Sequence, residues 1–350
     1  MLAPVTHILP LTTIRRTRLL PAPGKVLVRA GQKVGPSDVL AETTANADYL
    51  LVDIARGLGL PAEKADKHLK VHEGDQLAEK DILAGPVGIF KRVIRCPRDG
   101  RVMLAGNGQV LLETLSKPLQ IKAGLPGEVV DLVPERGAVV EGTGALIQGV
   151  WGNGRLDFGV LTCVARQPEH ELQPSDLDVS MRGSIVLAGY GASAEALKTA
   201  DELPLRGLIF SGVSAALAPQ LQRLNIPVIV LEGFGRRAYH PAAFKLLISS
   251  DRRELALNAD AWNAYSGVRP EVVIPMPPSG LVTPPPESVQ FALDQAVRIR
   301  RAPYAGAAGV LTAMKGSVVF PGGLRAPAAE VRLENGAKAI IPLANLEVIA

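Results

Sequence analysis

The chain has 350 residues, 47% hydrophobic and 21% charged, too long for one small core and too apolar to stay disordered, so two or three domains are expected. Aromatics make up only 4%, against 35 glycines and 28 prolines, which excludes an aromatic core and favours short, turn-rich strands of Val, Leu, Ile and Ala over a helical bundle. The net charge of +4 permits an acidic partner without demanding one, and two distant cysteines, Cys96 and Cys163, argue against a disulfide framework or a structural zinc site.

Residues 1–30 carry Arg15, Arg16, Arg18, Lys25 and Arg29 and no acid. Such a basic end suits nucleic acid, an anionic surface or plain solvent. Its charges follow its apolar residues, the reverse of a secretory signal. No apolar run approaches the ~18 residues that cross a bilayer. A soluble, cytoplasmic protein with no membrane contact is the expectation.

The next segment repeats. Residues 26–41 read VLVRAGQKVGPSDVLA, 69–84 read LKVHEGDQLAEKDILA, and 130–147, VDLVPERGAVVEGTGALI, is a weaker copy. Each has a Gly (Gly31, Gly74, Gly137), an apolar residue three positions on (Val34, Leu77, Val140) and a later Leu (Leu40, Leu83, Leu146). The pattern predicts strand, Gly turn, apolar bridge, second turn, strand. Together with CPRDGRVMLAGNGQVLLE at 96–113, it resembles the half-motif of the biotinyl/lipoyl-like barrel-sandwich hybrid. That resemblance implies a fold more than an activity. A carrier domain of this kind would need a lysine at a hairpin tip. Lys117 has a similar spacing, but Ser116 and Pro118 flank it, and an ordinary surface lysine is the expectation. Between the first two copies, residues 47–69 place Leu50, Ile54, Leu58 and Leu60 at mostly helical spacing, predicting a helical insert packed on the β unit.

From residue 175 to 265 strands alternate with helices. SIVLA (184–188), GLIF (207–210) and VIVL (228–231) are separated by helix-like 193–203 and 215–224, which predicts a small parallel layer with right-handed crossovers, Rossmann-like or swivelling. Gly189 and Gly191 open a GxGxxA turn after the first strand, but the second strand ends in Ser211-Gly212, where an acid would hold a ribose. A tight strand-to-helix turn explains those glycines without a ligand. The order of elements also resembles the swivelling phosphohistidine domain of phosphoenolpyruvate-using enzymes. SGVSAALAPQ lacks the histidine which that family requires. A ligand loop at the carboxyl ends of these strands would comprise Gly189, Gly191, Ser211, Glu232, Arg236 and His240; the alternative is a charged, glycine-rich surface loop. Trp151, in Trp151-Gly-Asn-Gly154 ahead of this unit, reads as an interface anchor.

Residues 266–290, with a proline-rich 269–289, predict an extended connector. Beyond it, AVRIRRAPYAGAAGVLTAM (296–314), with Gly306, Gly309 and Tyr304, resembles the KOW motif, and Asn335-Gly336 predicts a hairpin turn. The resemblance covers 291–350 and implies an SH3-like barrel that binds RNA or docks onto polymerase or ribosome. Independently of it, 291–350 holds seven basic against four acidic side chains. Arg298, Arg300, Arg301 and Tyr304 could supply phosphate contacts and a stacking face.

The expected fold class is multi-domain, β-rich plus α/β. It comprises a barrel-sandwich-hybrid-like domain (1–165, helical insert 47–69), an α/β layer (175–265), a linker (266–290) and an SH3-like barrel (291–350). No Ser/His/Asp, Cys/His, paired-carboxylate or P-loop arrangement stands out, and no cofactor or metal is expected. The favoured function is a non-enzymatic binding protein contacting nucleic acid or a ribonucleoprotein through Arg298, Arg300, Arg301, Tyr304, Gly306 and the basic Arg15, Arg16 and Arg18. A structural protein whose barrels dock only onto protein, and an enzyme with a site on the central strands, remain open alternatives. The oligomeric state is not legible.

Overall fold

The computed structural model describes residues 2–43, 47–89, 91–115, 118–263, 267–277, 284–286 and 288–350; Lys117 and Ser116 lie outside them. The first two repeat copies fold alike, bond for bond. Gly31 and Gly74 both take positive φ, +79° and +94°, where a side chain would be strained. Gly31 donates its N–H to the Val129 carbonyl, and Val129 donates to Gln32; Gly74, Val102 and Asp75 make the same pair. Each second turn is closed by an aspartate, Asp38 accepting from the Gly35 N–H and Asp81 from the Ala78 N–H, both at 2.8 Å. Leu40 and Leu83 end in the core. The third stretch is different. It is the hairpin Gly127–Val133 and Gly137–Gln148, the counterpart of Gly100–Gly106 and Gln109–Leu115, and it supplies the strand on which the first copy packs.

The second copy sits in an insertion. The chain leaves the first unit after Val39–Glu42 and returns at Gln120–Lys122, which pairs with that strand; Thr43 and Leu119 clasp the root, each amide N–H donating to the other residue. The inserted part has its own core, with Ile54, Leu58, Leu83, Val102, Val110 and Leu112. Within it the expected helix over 47–69 is corrected. Ala47–Asp53 is a strand paired along Gln109–Leu115, and only Ile54–Leu58 and Ala62–Asp66 are helical. Leu50 and Val52 lie on one pleat face, while Tyr49 and Leu51 are exposed. Helical spacing holds only between Ile54 and Leu58, and Gly59 stops it in the left-handed conformation.

The α/β region follows the residue pattern. Leu156–Cys163, Ser184–Gly191, Gly207–Val213 and Val228–Phe234 pair in parallel, in chain order. The strands are apolar on both faces because both are covered. Val186, Leu208, Phe210 and Val230 meet the helices Ala194–Glu202 and Ala218–Arg223 on one side. Ile185, Leu187, Ile209 and Ile229 meet the helix Pro241–Ile248 on the other. Glu254–Asn258 and Glu271–Pro275 extend the layer antiparallel until it joins Gly137–Gln148, so one eleven-stranded sheet runs from the α/β part into the first β unit.

That sheet revises the connector. Glu271–Pro275, placed by composition in a linker, is a core strand whose Val272 and Ile274 are wholly buried; its apolar run decides, with Pro270 before it and Pro275 as its last residue. The C-terminal sheet is seven-stranded. Ala296–Ile299, Ala308–Val319, Arg325–Leu333 and Lys338–Pro342 form a meander, and Leu346–Ile349 returns to pair with Ala296–Ile299. The expected Asn335-Gly336 turn is present, with Gly336 at φ +81°. Two further strands come from elsewhere: Leu2–Thr6, parallel to Leu346–Ile349, and Ser288–Gln290 beside it. The first residues of the chain thus belong, by hydrogen bonding, to the C-terminal sheet. No helix among the described residues is long and apolar enough to cross a membrane.

Candidate functional site

Where the C-terminal sheet meets the carboxyl end of Val228–Phe234, a cleft of about 470 Å³ opens, lined among others by Glu232, Phe234, Arg237, Trp262, Arg300, Arg301 and Gly306. It unites residues from two separate expectations: Glu232 from the α/β loop, and Arg298, Arg300, Arg301 and Gly306 from the KOW-like motif.

Its floor is a buried ionic network. Arg298 Nη2 lies 2.5 Å from Glu232 Oε2 and Nη1 lies 3.3 Å from Glu347 Oε1. Arg269 reaches Glu347 at 3.5 Å and donates to Thr6 Oγ1 at 3.0 Å. Arg298 and Glu347 face each other across paired strands, the closest arrangement a sheet offers for opposite charges. Burial depresses the Arg269 pKa, with Glu347 opposing. All four charged side chains are 8% exposed or less. Arg298 is therefore corrected: it is a structural ion-pair partner and has no surface to offer a phosphate.

Above this floor the balance is different. Among the described residues Arg237, Arg300 and Arg301 have no carboxylate partner within ion-pair distance. Trp262 holds Arg300 at 4.5 Å and Arg269 at 5.3 Å from its ring centroid, a cation–π arrangement that fixes the direction of Arg300. Arg237 donates to the Ala305 carbonyl, and its guanidinium lies where a Cβ on Gly306 would stand, at 2.7 Å. Gly306, at φ +79°, is needed for its turn, and its missing side chain leaves room for the far end of Arg237. Phe234 is 41% exposed and braced edge-on by Trp151, ring centroids 6.3 Å apart.

The remaining candidates lie elsewhere. Tyr304 is exposed on the loop before Gly306 and does not line the cleft. Arg236 turns away to Glu171, 2.9 Å distant, and over the Tyr190 ring. The backbone N–H of His240 donates to Glu232 Oε1 at 3.0 Å; burial depresses its imidazole pKa. Gly189 and Gly191, which the sequence offers as a ligand loop or more simply as a tight strand-to-helix turn, stand at the end of their strand, each paired with its neighbour strand. A Cβ on Gly189 would collide with the His170 carbonyl, and one on Gly191 would meet the Phe210 ring at 2.9 Å, so close packing accounts for both glycines. Ser211 is likewise inside a strand and fully buried. The Tyr239 hydroxyl accepts from the Gly189 N–H and donates to the Ile209 carbonyl.

The basic N-terminal cluster is also corrected in part. Arg16 forks onto Glu271 at 2.6–3.1 Å, and Arg18 pairs with Asp260 at 2.9 Å and donates to the Ala123 carbonyl. Of Arg15, Arg16 and Arg18 only Arg15 stays exposed, as Lys25 and Arg29 do further along the segment. Arg15, Arg16 and Arg18 border a second cleft of about 570 Å³ with His7 and Arg269. Trp262 was not among the expected site residues, whereas Phe234 and Arg237 belong to the loop 231–237, which the sequence offers as a ligand or partner site through Glu232 and its arginine pair. The scarcity of tryptophan, two in the chain, is the one signal that pointed to Trp262. No protein-family model matches the chain, and no curated protein matches it in sequence.

Proposed function

We propose that the protein is a non-enzymatic, multi-domain binding protein that contacts nucleic acid or a ribonucleoprotein through its C-terminal part, read as a KOW-like, SH3-like barrel. The observation that carries this reading is the convergence of Arg237, Arg300 and Arg301, none with a carboxylate partner among the described residues, beside the exposed aromatic Phe234 in one cleft. Cations that track phosphates, together with an aromatic face, are what nucleic-acid surfaces require. The strand order supports the barrel reading: a four-strand meander, a 3₁₀ turn at Leu343–Asn345, and a last strand returning to the first. The matching Gly31 and Gly74 units likewise support a barrel-sandwich-hybrid reading of the first part.

The test is fluorescence anisotropy of the full chain with short single-stranded RNA and duplex DNA, at low and near-physiological salt. Three phosphate contacts predict that log affinity for a single strand falls by about 2 per tenfold rise in salt. Arg300→Ala/Arg301→Ala should weaken binding while the unfolding transition stays in place. Absence of binding at low salt to either nucleic acid ends this reading. A protein-docking reading is favoured by a different observation, Tyr49 and Leu51, each 56% exposed on the outer face of the inserted sheet.

A further inference from the structure

We infer that the cleft takes a single nucleotide with an unstacked base, the base against Phe234 and the phosphate against Arg237, Arg300 and Arg301. The inference rests on the reading above in taking nucleic acid as the source of that nucleotide. Its size is the first argument, since about 470 Å³ is the scale of a small-molecule pocket. Aromatic geometry is the second. Trp262 already holds two guanidinium groups, whereas Phe234 is held by Trp151 at one edge and remains 41% exposed. A base can stack on Phe234 only if it has left its own stack, which a duplex interior does not allow and a single strand does. Charge is the third argument. Glu232 and Glu347 are occupied by Arg298 and Arg269, so the field in the cleft comes from the three remaining arginines. Arg237 lies over Gly306 in the cleft, donating to the Ala305 carbonyl. Stacking on a phenyl ring accepts any base, so the preference is for unpaired structure and not for sequence.

Both tryptophans of the chain, Trp151 and Trp262, border Phe234 or the cleft, so intrinsic fluorescence reports occupancy directly. The full chain would be titrated with uridine and adenosine monophosphates, with a short single-stranded RNA, and with the same RNA as a flush-ended duplex. The expected result is a tryptophan signal change with the single strand and at least tenfold weaker binding of the duplex. Phe234→Ala should cost about tenfold in single-strand affinity. Phe234→Leu, which keeps apolar bulk against Trp151, should cost nearly as much, separating lost stacking from lost folding. If duplex and single strand bind equally and neither Phe234 variant matters, the single-nucleotide site is overturned while the nucleic-acid reading survives. If the monophosphates change the signal and neither RNA binds, the site stands and the nucleic-acid reading falls. Absence of binding by all three overturns both.

Discussion

At the scale of single residues, His7 shows how burial sets a proton equilibrium. It stands between the first two strands, 5% exposed, its backbone N–H donating to Gln148 Oε1 at 3.1 Å, and its Nδ1 is without a partner among the described residues. Burial, aided by the charges of Arg16 and Arg269 and opposed by a hydrogen bond to the Pro286 carbonyl, lowers its pKa from 6.5 to about 4. The unfolded chain therefore takes up the proton first. The contribution of His7 is complete above pH 6.5 and is lost as pH falls toward 4. His240 is shifted in the same direction by burial and adds to the slope. Urea unfolding between about pH 7 and 5, above the ordinary carboxylate range, should show stability falling with pH, and His7→Gln should flatten that slope. A slope unchanged by the substitution would show that His7 is not the titrating group. No local pattern marked His7, because its environment is made by Gln148 and residues near Pro286.

At the scale of elements, the decisive piece is Leu2–Thr6. Ala3 and Val5 are buried, Ala3 in the core of the C-terminal sheet, and the strand pairs with Ser288–Gln290 on one edge and Leu346–Ile349 on the other. The hydrogen bonds of Ile8 and Ala350 extend the seam. Deleting residues 1–6 should raise hydrogen exchange at the amides of 288–290 and 346–349. The insertion should keep its protection, because its core is assembled from its own residues. Equal exchange in both regions would mean that the molecule opens as one unit. Truncating the chain at Ser288 would strip this first strand of its partners, so point substitutions are the cleaner probe of the cleft. The repeat geometry was legible at this scale, since each turn closes with residues only a few positions apart. The strand exchange was not, because its partners stand at the opposite end of the chain.

At the scale of the whole molecule, the Arg269–Glu347–Arg298–Glu232 network ties the α/β layer, the C-terminal sheet and the first strand together. Removing one member leaves a buried charge without its counter-ion. Arg298→Met should therefore destabilise the protein by about 3–5 kcal/mol in urea unfolding. Arg298→Met/Glu232→Gln should recover part of that loss, since no uncompensated carboxylate remains at Glu232. A change below about 1 kcal/mol for the single substitution would place Arg298 with exposed pairs. Arg300→Ala, whose side chain faces the cleft, should leave stability nearly unchanged. The network was illegible in the sequence because Arg298 and Glu232 stand 66 residues apart and Arg269 and Glu347 stand 78 apart.

The sequence alone determined what depends on near neighbours. The glycine turns at Gly31, Gly74 and Gly336 follow from backbone sterics, and the α/β order from apolar runs too short to be anything but buried strands. The basic motif at Arg300, Arg301 and Gly306 was visible as composition. Only the tertiary structure decided which charges are free. Arg16 and Arg298 look alike in sequence to Arg15 and Arg300, yet Glu271 and Glu232 neutralise the first two. Coulombic pairing depends on distance in space, and folding brings Arg18 within 2.9 Å of an aspartate 242 residues away. The cleft is made in the same way: Phe234, Trp262 and Arg300 become neighbours only when the C-terminal sheet packs against the carboxyl end of the α/β layer.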